Sequence, residues 1–204
     1  MRYIAVLAAL WVVGVSAALA DTPIDGRSGR AEVRFLEGMI DHHQMALDMA
    51  NDCLAKAEAE PVRDLCARII DAQSAEIALM GGWLLAWYNI AYTPLSMMEM
   101  LTPEPAAGGH SGHAGHGGMA MPQTDPPMMM GMFAGLNRLE GRAYDIAWLE
   151  AMIDHHDDAL HMSERILERA QHDDLIALAA TIIDAQTAEI VLMETMIEEL
   201  NSDG

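Results

Sequence analysis

The sequence predicts an all-α fold, a four-helix bundle made of two duplicated αα-hairpins joined by a long flexible crossover. Three observations carry that prediction. Residues 35–84 and 148–197 align without a gap at an offset of 113, with 24 of the 50 pairs identical, so the chain contains an internal repeat. Within each copy, apolar residues recur at helical spacing on both sides of one short break. Between the copies, Thr93 to Pro127 holds six of the eight prolines and a run of glycines, a composition that neither helix nor packed core accommodates.

At the N-terminus Arg2 supplies a short positive region, and Ile4 to Ala20 is continuous in small and apolar residues, ending Ala18-Leu19-Ala20. That is the layout of a secretory signal peptide, with cleavage expected after Ala20 and a periplasmic or secreted mature chain. An uncleaved anchor helix is the alternative, since 17 residues approach the shortest membrane span. The expected organisation is a signal peptide over 1–20, a first helical hairpin over 21–92, a linker over 93–127 and a second hairpin over 128–204.

Residues 30–58 contain no proline and carry apolar residues at 35, 36, 39, 40, 46, 47, 50 and 54, the stripe of one long helix. Pro61 opens the next helix in its first turn, where a missing N–H costs little. That helix runs through Leu65, Ile69, Ile70, Ile77 and Met80 towards Trp87. The second copy repeats the pattern with a break near His172-Asp173-Asp174, and Met128 to Leu139 is a candidate for one further short helix. Short loops between long helices give antiparallel hairpins, and one long connection between hairpins gives a ferritin-like crossover. Neither hairpin can bury its apolar face alone, so the copies are expected to pair. Exchange of hairpins within a homodimer is the alternative.

Composition narrows the function. Lysine and arginine total 11 against 31 aspartates and glutamates, a formal charge of -20. That sign repels phosphate backbones, so no nucleic-acid partner is expected; no stretch beyond residue 20 reads as long enough to cross a bilayer, so no membrane anchor is expected after cleavage. An acidic chain suits metal ions. The chain also holds 18 methionines, more than gap-filling in a core requires.

In an antiparallel hairpin, residues equidistant from the turn share a height. Cys53 and Cys66 then face one another, which favours a disulfide worth about 3 kcal/mol in the chain-entropy model. A dithiolate metal site is the competing reading, weakened because the second copy has Ile166 and Ala179 at those positions. The same arithmetic sets His43 level with Glu76 and Met39 level with Met80, and in the second copy His156 with Glu189 and Met152 with Met193. His42, Met45 and Met49 flank the first set; His155 and Met162 flank the second. Adjacent histidines point about 100° apart on a helix, so one of each pair is expected inward and the other on a flank. A histidine paired with a carboxylate and a stripe of methionines can each be ordinary core. Their joint retention in both copies points to a metal site.

Thioether sulfur selects Cu(I), while imidazole serves copper in either oxidation state. The Glu-x-x-His motif of four-helix di-iron sites is absent, since Met39 and Ile40 precede His42 and His43 by three residues. Copper is therefore the expected ion, Cu(I) preferred, with Cu(II) or Ag(I) as alternatives. In the linker His110, His113 and His116 recur at every third position and are followed by Met119 and Met121, soft and imidazole donors on a glycine-rich chain.

The pieces Phe35-Leu36-x-x-Met39-Ile40-x-His42-His43-x-x-Ala46-x-x-Met49 and Ile69-Ile70-x-x-Gln73-x-x-Glu76-Ile77-x-x-Met80 resemble the bacterial secreted proteins of domain of unknown function 305, a family that includes CopM-like periplasmic copper-binding proteins. The second copy is similar through Trp148, Met152, His155, His156, Met162, Gln186, Glu189 and Met193. The resemblance implies a helical, ferritin-like bundle and a part in copper binding or tolerance outside the cytoplasm, without an established catalytic activity. The second copy departs from it where Asp157-Asp158 replaces Gln44-Met45 and His161 replaces Asp48.

The sequence reading is therefore a periplasmic copper-binding protein, not an enzyme, that sequesters the ion or transfers it to other periplasmic copper-handling proteins. One alternative is a metal-independent interaction or stress protein using a surface of Trp83, Trp87 and Met97-Met98. Another is an oxidase-type bundle metalloenzyme.

Overall fold

The computed structural model describes residues 22–96 and 135–202. The expectations for residues 1–20, for His110, His113, His116, Met119 and Met121, and for the surface at Met97-Met98 fall outside that range. Four long helices make up the described chain: α1 (Gly26–Lys56), α2 (Glu60–Tyr88), α3 (Gly141–Leu167) and α4 (Asp173–Ser202). No strand occurs among the described residues. The architecture is the all-α bundle of two hairpins that the repeat implied.

Local chemistry sets the helix ends. Gly29 lies so close to the Ile24 carbonyl that a Cβ there would sit 1.6 Å from its oxygen, so the entry into α1 requires glycine. Pro61 lies in the first turn of α2. At its other end Asn89 takes the left-handed conformation at φ 54°, and the amides of Asn89 and Ile90 return to the carbonyls of Leu85 and Leu84. Asp173 and Asp174 begin α4, where carboxylates meet the positive end of the helix dipole. A disulfide joins Cys53 to Cys66 with their Cα atoms 6.3 Å apart, stapling the first hairpin as expected.

The hairpins meet through α1 and α3, which run antiparallel. Trp148 donates from Nε1 to the Met49 carbonyl at 3.0 Å, and Tyr144 donates to Asp52 at 2.9 Å. At mid-length His155 meets His42, its own counterpart in the repeat. A two-fold relation between the copies requires that self-encounter.

The same relation locks the ends. The buried Asp145 of α3 accepts the amides of Glu58 and Ala59, in the α1–α2 turn, at 3.1 and 2.8 Å. The buried Glu32 of α1 accepts those of Gln171 and His172, in the α3–α4 turn, at 2.6 and 3.2 Å. Donors and acceptors both correspond at the offset of 113. Each hairpin thus satisfies the open amides of the other's turn, which otherwise would be stranded in a closed interface.

The core falls into two apolar clusters. One holds Met45, Met49, Cys53, Leu65, Ile69, Trp148, Leu149, Met152 and Met193 among others. The other holds Phe35, Leu36, Met39, Ile40, Met80, Leu84, Ala159, Ile166 and Ile182 among others. Every helix passes from one cluster to the other across a buried polar position: His42 and His43 on α1, Gln73 on α2, His155 and His156 on α3, Gln186 on α4. Those six residues form a layer across the middle of the bundle.

Two sequence expectations are corrected. Leu54, counted in the α1 stripe, is 41% exposed, because Cys53 takes the inward position on that turn. Trp87 is a core residue, not part of a surface: it is 5% exposed, stacked 3.8 Å from the His172 ring and 4.9 Å from Trp83. In addition, α4 is long and apolar enough to cross a membrane, with a mean hydropathy of 1.7 in its most apolar window, 28% of which is buried. In the fold its Leu175, Leu178, Ala179, Ile182, Met193 and Met196 enter the two clusters, while Glu194, Glu198 and Glu199 face solvent.

Candidate metal centre

The histidines of the layer occupy two kinds of position. His43 reaches Glu76 with Nε2 to Oε2 at 2.6 Å, and His156 reaches Glu189 at 2.7 Å, as the hairpin register required. His42 and His155 occupy the centre, their rings 3.7 Å apart between centroids and tilted by 39°. All four are essentially buried. His155 also donates from Nε2 to the His42 carbonyl at 3.0 Å.

These hydrogen bonds decide which nitrogen carries the proton. A neutral imidazole has one N–H and one lone pair, and a carboxylate or carbonyl partner can only accept. In the neutral form, His43, His155 and His156 therefore carry the proton on Nε2, and Nδ1 is the lone pair. In all three, Nδ1 is buried and has no protein partner, and in His42 neither nitrogen has one. Carboxylate or carbonyl contacts of this kind fix the tautomer and raise the basicity of imidazoles that ligate metal.

Electrostatics keeps the centre uncharged. Burial holds His42 well below the ordinary histidine range, and the neighbouring imidazoles of His155, His43 and His156 push it further down. Burial does the same for His155, with His156 and His43 adding to it and the hydrogen bond to His42 opposing. His42 and His155 thus resist protonation while remaining able to take a cation through a nitrogen lone pair.

The methionines sort by cluster. Met39 and Met80 lie together with Met162 packed against them, and Met152 and Met193 lie in the other cluster with Met45 and Met49. Met49 and Met162 are repeat partners, and each packs into the cluster that holds the paired methionines of the other copy. Met45 has no such equivalent, because the second copy has Asp158 there. No group of three or more His, Cys, Asp or Glu among the described residues is placed to hold a metal ion. An ion at this layer would therefore need donors besides imidazole and carboxylate.

Beyond the layer, Asp41 accepts the Tyr92 hydroxyl at 2.6 Å and the Leu95 amide at 2.9 Å. Burial raises its carboxyl, with those two hydrogen bonds opposing. The chain leaving α2 is thereby tied to the residue that precedes His42.

Sequence reasoning did not pick out Glu32 and Asp145, since the aligned block began at residue 35. Carrying the same offset three residues further back pairs the two acids. It also passed over Gln73 and Gln186 as site residues, although both stand in the repeated motif.

The family model described as Domain of unknown function (DUF305) matches residues 32–197. No curated protein matches the chain. Among solved structures, a DUF305 protein from Streptomyces coelicolor described as secreted is 27% identical, with a TM-score of 0.63 over 84% of this chain and 92% of that one. CopM in its Cu(II)-bound form is 28% identical, with a TM-score of 0.59 over 82% of this chain and 96% of that one. CopM in its Cu(I)-bound form is 25% identical, with a TM-score of 0.60 over the same shares.

Proposed function

This chain belongs to the DUF305 family, and from the buried imidazole layer at its centre we propose that it binds copper as cargo outside the cytoplasm, sequestering the ion or passing it on. The observation that carries the reading is the set of bare, buried Nδ1 lone pairs on His43, His155 and His156, each fixed by an acceptor on the opposite nitrogen. A packing role alone gives no reason to leave those nitrogens unpaired. The methionines on both sides supply the sulfur that favours Cu(I), and the imidazoles accept either oxidation state. CopM, solved in Cu(I)-bound, Cu(II)-bound and Ag-bound forms, supports a soft-metal or copper cargo.

In this reading the acidic surface gathers cations, the layer holds them, and His110, His113, His116, Met119 and Met121 capture or hand over the ion. The function is binding without turnover. The test is anaerobic Cu(I) titration against a colour-forming chelator, comparing the parent chain with one in which His42, His43, His155 and His156 are replaced by Ala. Tight binding that falls in the variant supports the layer as the site. Unchanged stoichiometry in the variant refutes it, and absence of competition by the parent refutes copper altogether.

A further inference from the structure

Gln73 and Gln186 are 3% and 4% exposed, yet Oε1 and Nε2 of Gln73 and Oε1 of Gln186 have no protein partner. They are equivalent at the offset of 113, so a buried amide oxygen without a protein partner occurs at the same place in both copies. Leaving a buried amide unpaired is unfavourable, and Leu or Met would fill the volume without that cost. Packing therefore gives no account of glutamine at either place.

The register places both amides at the layer. The pairs His43–Glu76 and Cys53–Cys66 set Gln73 opposite Ala46, one turn along α1 from His42 and His43. His156–Glu189 sets Gln186 opposite Ala159, one turn from His155 and His156. Ala46 and Ala159 are fully buried and present only a methyl group, leaving room for the longer side chain across the seam. On its own helix each glutamine also precedes, by three residues, the glutamate that orients an imidazole.

We infer that the amide oxygens of Gln73 and Gln186 are ligands for the oxidised cargo ion, so that one layer holds Cu(I) mainly through thioethers and Cu(II) through imidazole nitrogen and amide oxygen. This inference rests on the copper-binding reading above. Its chemical ground is ligand hardness: thioethers suit Cu(I), whereas Cu(II) favours nitrogen and oxygen donors. Apart from the carboxylates bonded to His43 and His156, the two amides are the oxygen donors that the layer's own side chains offer. A neutral amide adds that oxygen without placing another buried charge beside the imidazoles.

The test uses the full chain with His110, His113 and His116 replaced by Ala, so that they do not contribute to Cu(II) binding. Affinities for Cu(I) and for Cu(II) are measured separately by chelator competition in this parent, in Q73L/Q186L and in Q73M/Q186M. The expected result is a loss of about tenfold or more in Cu(II) affinity in both variants, with Cu(I) affinity held in the Leu pair and held or raised in the Met pair. Electron paramagnetic resonance of the Cu(II) form should change in both. Equal loss for both ions, or loss for neither, would overturn the inference while leaving copper binding intact. If the parent binds neither ion, the copper reading fails first and the inference with it. Should the Leu pair not fold, the Met pair, closer to glutamine in length, decides.

Discussion

The ring of His155 lies 3.7 Å from that of His42, the residue to which it corresponds in the repeat, and Nδ1 of His155 and both ring nitrogens of His42 are buried without a protein partner. Two buried imidazoles at that distance strongly resist being charged together. The contact makes the middle of the bundle its most proton-averse region.

Stability should therefore fall with acid. In the unfolded chain both histidines take up protons near their ordinary value of 6.5, while in the fold both resist. The unfolded state binds more protons as pH drops below that value, so stability is full above it and declines beneath it. The slope should be up to about 1.4 kcal/mol per pH unit for each histidine until its folded-state value is reached. Urea unfolding from pH 7 to pH 5 measures this. Replacing both residues by Leu should flatten the profile, and an unchanged slope would remove them as its source.

Glu76→Gln and Glu189→Gln keep the size of the side chain but remove the charge that orients His43 and His156. An amide can donate to Nε2 as readily as accept from it, so the proton is free to move to Nδ1. Copper affinity should fall by roughly 10- to 100-fold in the double variant. The fold should be retained, as circular dichroism would show. Wild-type affinity in this variant would separate the glutamates from metal binding.

Glu32 is buried with four hydrogen bonds converging on its carboxylate, from the amides of Gln171 and His172, the His172 ring and the Tyr88 hydroxyl. Burial alone would raise its carboxyl, but those donors outweigh it and hold the group below its ordinary value. Glu32→Ala should cost about 2–4 kcal/mol by stranding buried donors, and Asp145→Ala less, since Asp145 meets only the two turn amides in its matching position. Denaturant midpoints decide the order. Equal costs would show that the His172 and Tyr88 contacts add nothing.

Reducing the Cys53–Cys66 bridge should lower stability by about 3 kcal/mol, because it closes only a short loop at the tip of the first hairpin. The bridge lies ten residues along α1 from His43, so Cys53→Ala with Cys66→Ala should leave copper stoichiometry unchanged. Thermal unfolding and chelator competition on that variant check both statements. A lost equivalent of copper would bring the sulfurs back as ligands.

Much of this architecture was legible in one dimension. The offset of 113 exposed the duplication, helical spacing gave the four long helices, and the distance of each residue from its turn gave Cys53–Cys66, His43–Glu76 and His156–Glu189. Those contacts lie within a hairpin, and a hairpin's register follows from chain length alone. How one hairpin lies on the other is a different matter, because nothing in the spacing states which faces of α1 and α3 meet. Only the tertiary structure decided that His42 would face His155, that Glu32 and Asp145 would close each other's opposite turn, that Trp87 would be covered by His172, and that Met162 and Met49 would cross to the other copy's cluster. The physical reason is that a repeat supplies two equal apolar faces, and burying both at once, with the amides of Glu58, Ala59, Gln171 and His172 accepted across the interface, selects one antiparallel pairing from the several that periodicity allows.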